Sequence, residues 1–351
     1  MVAAAETLPA KPGWLRNRKF DVTFVHGVAV LALLSGCVVV WNPELFQAVL
    51  IADLWLLGYH HVIATYTRLA FDRHSLREYR FFVFILPIIV FATTFFLAWT
   101  VGVWVIATIY LYWQWFHYTR QSWGISQVYR AKSNGLVNEG PLFSKLCFYL
   151  VPLWGILYRS WQAPETFLFV DLRVIPVPGW LVAVVGYAAA IAVAAWCVQR
   201  FKMWREGRLP IAHTWYMVSH LVVFSVGYRL IEDITFGWLV INVWHNAQYI
   251  LFVWLFNANR FAKGVDSRAP LLSRVSQPGK IVRYLAICLG ISTLIYTLAA
   301  VLTHEQYMAG LPLAIIVFQA VNFHHYIVDS VIWKVRKKPM RKTLKLDGAA
   351  A

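Results

Sequence analysis

Charge is scarce in this chain: Asp, Glu, Lys and Arg make up 14% of 351 residues, against 60% apolar and 17% aromatic. Soluble domains carry roughly a quarter charged residues. The composition therefore excludes a water-soluble protein, and with it nucleotide-binding α/β folds and nucleic-acid readers. Cysteine is equally sparse. Cys37, Cys147, Cys197 and Cys288 stand singly in apolar stretches with no CxxC pair, which argues against a disulfide framework and reads as packing. The segment Met1–Lys19 lacks the apolar core and small-residue cleavage site of a signal peptide, so it is expected to remain as a short cytoplasmic tail. No period of 20–50 residues recurs, which speaks against a solenoid or an inverted repeat. No loop carries a flavin, nicotinamide or iron–sulfur motif.

What is present instead is a succession of apolar runs of about 20 residues, each one hydrocarbon thickness long. Ten windows qualify: 21–41, 45–67, 81–99, 102–119, 143–158, 177–198, 211–229, 234–257, 282–302 and 309–333. They predict an all-α, polytopic transmembrane helical bundle forming one domain, 21–333, between basic tails at 1–20 and 334–351. Pro152, with Lys145 and Arg159 close by, predicts a tilted, kinked or re-entrant fifth span. The net charge of +16 is spread between the apolar runs and not gathered in one patch, so no nucleic-acid partner is expected. Apart from Arg159, Arg173 and Arg229, every lysine and arginine falls on one set of loops and tails. That asymmetry predicts both termini in the cytoplasm and a multi-pass protein of the inner (plasma) membrane. The basic stretch Lys334–Lys345 is expected to touch anionic lipid. Polar residues interleaved with Trp123, Ile125, Val128 and Tyr129 predict an amphipathic segment on the cytoplasmic surface between Thr119 and Gly140, beside His117.

The histidines carry the functional signal. Leaving aside His74 and His304, they lie within or at the ends of spans, in the cytoplasmic half or near the midplane: His26, His60, His61, His117, His213, His220, His245, His324 and His325. Polar groups are costly in hydrocarbon and turn to the bundle interior, where they pair or bind a ligand. A lone histidine in a span more often ties helices together by hydrogen bonds. A set contributed by several helices points to a metal. Successive helical residues point about 100° apart, so only one of each adjacent pair faces a common site; His61 and His325 are the first choices. The expected ligands are His61, His117, His220, His245 and His325, with His26, His60, His213 and His324 in reserve. Polar neighbours one turn away would orient the imidazoles: Gln121 for His117, Asn242 and Gln248 for His245, Asn322 and Asp329 for His325. Asp53, two turns before His60, would serve as an oxygen donor or proton carrier. Tyr249 and Asp329, each four residues beyond a histidine, are the candidate catalytic groups.

Imidazole with carboxylate suits iron, zinc or copper, as one ion or two. The clusters HH at 60–61, HYTRQ, HTWYMVSH, WHNAQY and FHHYIVD resemble in kind the histidine-rich integral-membrane non-haem iron oxygenases of the desaturase and hydroxylase type. That resemblance implies non-haem iron, a lipid-soluble substrate and an external electron donor. The HxxxH and HxxHH clusters usual in that class do not occur, so no individual residue role is carried over. The stretch from His245 to Leu251, HNAQYIL, resembles the HxxxYIL stretch of haem–copper oxidase catalytic subunits. This implies haem as the alternative cofactor, with His245 and His325 as axial ligands. A proton- or ion-coupled transporter is the third expectation, since histidine and carboxylate relays serve that role too.

Overall fold

The computed structural model describes residues 12–133, 136, 140–308 and 312–346. The outer parts of both expected tails, 1–11 and 347–351, and positions 309–311 of the last window lie outside them.

The chain is almost wholly helical. Helices α1 (Arg18–Trp41) and α2 (Pro43–Leu69) form a first hairpin, followed by the short α3 (Arg73–Glu78) and by α4 (Phe81–Thr100). Next come α5 (Val103–Lys132) and α6 (Leu142–Gln162). A two-stranded antiparallel hairpin, β1 (Thr166–Phe167) and β2 (Val170–Asp171), pairs Thr166 with Asp171 and leads into α7 (Gly179–Arg205). The remainder is α8 (211–230), α9 (Ile234–Arg260), α10 (Pro270–Val275), α11 (Ile281–Met308), α12 (Leu313–Ile332) and α13 (Lys338–Thr343).

Seven helices among the described residues are long and apolar enough to cross a membrane: α1, α2, α4, α7, α9, α11 and α12. The windows 102–119, 143–158 and 211–229 also form helices (α5, α6 and α8), but these do not combine the same length and apolarity. Burial sorts the seven. In α9, 94% of the most apolar stretch is inside the molecule, against 22% in α4 and α7 and 17% in α11. Helix α9 is thus the central post. The outer helices turn Val184, Tyr187 and Ile191 of α7 and Leu294, Leu298 and Val301 of α11 outward. Exposed apolar stripes of that extent match a hydrocarbon environment.

The central post is set by close approach. A Cβ at Gly237 on α9 would overlap the carbonyl oxygen of Gly227 on α8, so glycine is required where these helices touch. Arg159 of α6 closes the same corner. It is completely buried and donates to the carbonyls of Gly227 (3.0 Å), Glu232 (2.5 Å) and Ile231, the open C-terminal end of α8. From the sequence it marked only the end of the fifth window; in the structure it is a buried helix cap.

Other local expectations change as well. The segment after Thr119 is not a separate surface element, because α5 runs unbroken to Lys132 and buries Ser122, Ile125, Ser126 and Tyr129. Those residues recur every three or four positions, the spacing of one helical face. Pro152 sits inside an otherwise continuous α6. Cys147 and Cys288 are buried, whereas Cys37 and Cys197 are exposed on outward faces and do not pack the interior. Wide π-helical turns interrupt the regular ladder at Thr23–Gly27, Leu54–Gly58, Phe81–Ile85 and Val226–Leu230.

Candidate metal centre

Four helices deliver four imidazoles to one place. His61 comes from α2, His117 from α5, His245 from α9 and His325 from α12, and all four are buried. Ring centroids are 4.6 Å apart for His61 and His325, 5.0 Å for His117 and His245, 5.1 Å for His117 and His325, and 5.6 Å for His61 and His245. Asp329, one turn beyond His325, brings Oδ2 to 3.5 Å from His325 Nε2. Two overlapping triads have donor atoms within 4.8 Å of one another: His61, His245 and His325, and His117, His325 and Asp329.

The hydrogen bonds fix which nitrogens face inward. His61 Nδ1 lies 2.5 Å from the Gly58 carbonyl, which only accepts, so this nitrogen carries the proton and Nε2 presents its lone pair to the centre. His325 Nδ1 meets Thr65 Oγ1 at 2.9 Å, leaving its Nε2 3.1 Å from His61 Nε2. Nitrogens about 2.0–2.1 Å from a common ion stand about 2.9 Å apart at a right angle and about 3.4 Å apart in a tetrahedron. The observed separation falls between these values. It also matches a single N–H···N hydrogen bond, so this pair alone decides nothing. His245 decides more: both of its ring nitrogens are buried without a partner, and so is Nε2 of His117. Buried polar atoms are nearly always satisfied. One bare nitrogen of His245 and that of His117, beside the inward Nε2 of His61, fit a cation, and the mixed imidazole and carboxylate donors suit iron, zinc or copper.

A second ring of groups holds the donors. Tyr249 donates its hydroxyl hydrogen to Asp329 Oδ1 at 2.8 Å and accepts from Trp333 Nε1 at 2.8 Å; Thr65 Oγ1 lies 2.6 Å from the same hydroxyl. On the other side, the Tyr118 ring lies 4.0 Å from that of His245. Its hydroxyl donates to Asn242 Oδ1, and Asn242 Nδ2 donates to Asp53 Oδ2 at 2.5 Å. Asp53 and Asn242 therefore support the centre from behind His245, and Asp53 belongs to neither triad. Gln121 lines the adjoining cavity. Gln248 bonds Tyr216 and the Phe24 carbonyl, and Asn322 bonds Gln319; neither touches the four imidazoles.

The remaining histidines lie apart. His220 packs on Phe148 and Phe224 with Nδ1 2.9 Å from Ser122, so the structure does not bring it into the cluster. His213 sits between Ser126 and Arg200, and His324 between Tyr66 and the Phe82 carbonyl. His60 bonds the Leu56 carbonyl, and His26 is exposed against Trp215. Of each adjacent pair, only one member turns inward, as the 100° helical step requires. Thr65, Tyr118 and Trp333 were not singled out from sequence. Thr65 was accessible in principle, lying four residues after His61 on the same face.

Beside the cluster opens a cavity of about 430 Å³. His117, Tyr249 and Asp329 form its buried end. Its walls are Trp113 and Phe116 of α5, Phe252 of α9, Tyr326 of α12 and the following Trp333. Comparison with protein-family models, curated proteins and solved structures finds no match to the chain.

Proposed function

We propose that the chain is a metal-dependent membrane oxidoreductase that oxidises or oxygenates a lipid-soluble substrate at the four-histidine centre, with one or two non-haem iron ions as cofactor. The observation that carries this reading is His245, whose two ring nitrogens are buried and unpaired among three other inward-facing imidazoles. We further propose that α5, α6 and α8 complete a ten-span topology in the inner membrane with both termini on the cytoplasmic side, as the distribution of basic residues requires.

His61, His117, His245, His325 and Asp329 would hold the ion. When bound there, iron supplies Lewis acidity and redox chemistry towards oxygen, with electrons drawn from an external donor. The chain's own groups supply the rest. Thr65 fixes the ring of His325, and the Gly58 carbonyl fixes the tautomer of His61. The contact from Tyr249 to Asp329 keeps a phenolic proton at the cavity end of the site, ready for transfer to or from substrate. The aromatic walls keep water from the reacting end.

Geometry favours a non-haem ion over haem. A haem would need room between two of these imidazoles, and the ring centroids of His61, His117, His245 and His325 lie only 4.6–5.6 Å apart in the pairs that meet. The transport reading has one supporting feature, the buried chain from Trp238 through Gln114, Tyr118 and Asn242 to Asp53.

Elemental analysis and an optical spectrum of detergent-purified protein test the proposal. The expected result is iron near one or two equivalents, no haem absorption band, and loss of the iron in His245→Ala. Equal and negligible metal in wild type and variant would end the enzyme reading. Proton or ion flux in vesicles without bound metal would favour the transporter.

A further inference from the structure

The cavity beside the cluster is apolar along its walls and basic at its mouth. Its lining includes Arg120, one turn beyond His117 on α5, and Lys334 and Arg336, just beyond the end of α12 that carries Asp329. Exposure gives the order in depth: His117 and Asp329 are buried, Lys334 is half-buried, and Arg120 and Arg336 are exposed. Arg120 has one long contact, to the Tyr149 hydroxyl at 3.3 Å, and neither Lys334 nor Arg336 has an ion pair among the described residues. Among the described residues, no Asp or Glu other than Asp329 at the buried end lines the cavity. Three cations thus surround the open end of an aromatic slot whose closed end is the candidate metal centre. Pockets of a few hundred cubic ångströms with a few placed polar groups are of the size that takes one small ligand.

We infer that this cavity binds a single-chain amphiphile with an anionic carboxylate or phosphate head, the head held by Arg120, Lys334 and Arg336 and the chain lying against Trp113, Phe116 and Phe252. The inference rests on the oxidoreductase reading for what then happens to the ligand, and it adds a regiochemistry. The basic mouth lies about one to two helical turns, roughly 5–11 Å, from His117 and Asp329. Carbons close to the head are therefore presented to the centre, and the far end of the chain is not. A guanidinium forms paired hydrogen bonds to carboxylate or phosphate oxygens, which gives Arg120 and Arg336 the chemistry for either head.

Equilibrium binding of radiolabelled hexadecanoate, hexadecyl phosphate and hexadecanol to the full chain in non-ionic detergent at low salt tests this. One or both anions should bind about tenfold more tightly than the alcohol, as expected of three partly exposed contacts; which anion does so identifies the head. The combined variant Arg120→Gln, Lys334→Gln and Arg336→Gln should abolish the preference while leaving hexadecanol affinity unchanged. A second variant, Lys337→Gln with Lys338→Gln, neutralises exposed charges on the same segment that do not line the cavity, and should keep the preference. Equal binding of alcohol and anions overturns the inference. So does retention of the preference in the triple variant, or its equal loss in the double one. The readout needs no metal, so an iron-free wild type that still prefers anions would overturn the oxidoreductase reading alone.

Discussion

His213 and His245 are both fully buried, on consecutive helices, and differ in what their nitrogens meet. His213 has Ser126 Oγ at 3.1 Å on one side and Arg200 at 3.5 Å on the other; His245 has no partner at either nitrogen. The neighbours His324 and His325 differ instead in which groups they face. His324 joins the Tyr66 hydroxyl at 3.0 Å to the Phe82 carbonyl at 2.7 Å, while His325 turns its Nε2 to His61 and Asp329. An imidazole served on both sides is a tie between helices. One left bare in the interior lacks a partner that the chain does not itself provide.

The sharpest way to break this comparison is metal content. His245→Ala or His325→Ala should lower bound iron by more than about tenfold, whereas His213→Ala and His324→Ala should leave it in place. If all four variants lost iron alike, burial and not nitrogen satisfaction would govern binding. A somewhat smaller effect belongs to the supports. Thr65→Val should weaken metal affinity about tenfold, measured by competition with a chelator, since it leaves the imidazoles in place but loosens the aim of His325.

On the other side of the comparison, His213→Ala should cost about 1–3 kcal/mol by leaving the Ser126 hydroxyl without its partner in the interior. Thermal unfolding of metal-stripped protein would detect the loss, and an unchanged melting temperature would show that the tie is dispensable. The smallest effect is outside the spans. Burial pushes the Asp72 carboxyl up, but hydrogen bonds from Arg260 at 2.9 Å and from Ser75 outweigh it and hold its pKa below the usual value. The stability it contributes is present above the unfolded value of about 3.9 and is lost as pH falls through the lower folded one. Asp72→Asn should thus change stability by less than about 1 kcal/mol, only above that window, and leave iron content untouched. A variant that changes iron binding would tie this loop to the centre.

Seven of the ten windows were legible as helices long and apolar enough to cross a membrane, because hydrocarbon thickness imposes a length on apolar runs. The cut after Thr119 misjudged α5, because the polar residues from Arg120 onward looked like a loop, whereas the helix continues to Lys132 and turns Ser122, Ser126 and Tyr129 inward. His220, an expected ligand, lies seven residues from His213 on the same face of α8; position in a span does not say what that face meets, and it meets the serines of α5. Tyr118 and Trp333 carried no signal. They are two aromatics among many, and only the helix register shows that one lies against His245 and the other reaches Tyr249.

The wide turn at Leu54–Gly58 has an effect on aim. Asp53 and His61 both address α9, one through Asn242 and the other beside His245. Eight residues apart on a regular ladder, they would diverge by about 80°. A turn closed over five residues takes in one extra, so the pair behaves as if seven apart and shares a side to within about 20°. Straightening that single turn would swing the first imidazole away from its three companions without altering any donor atom.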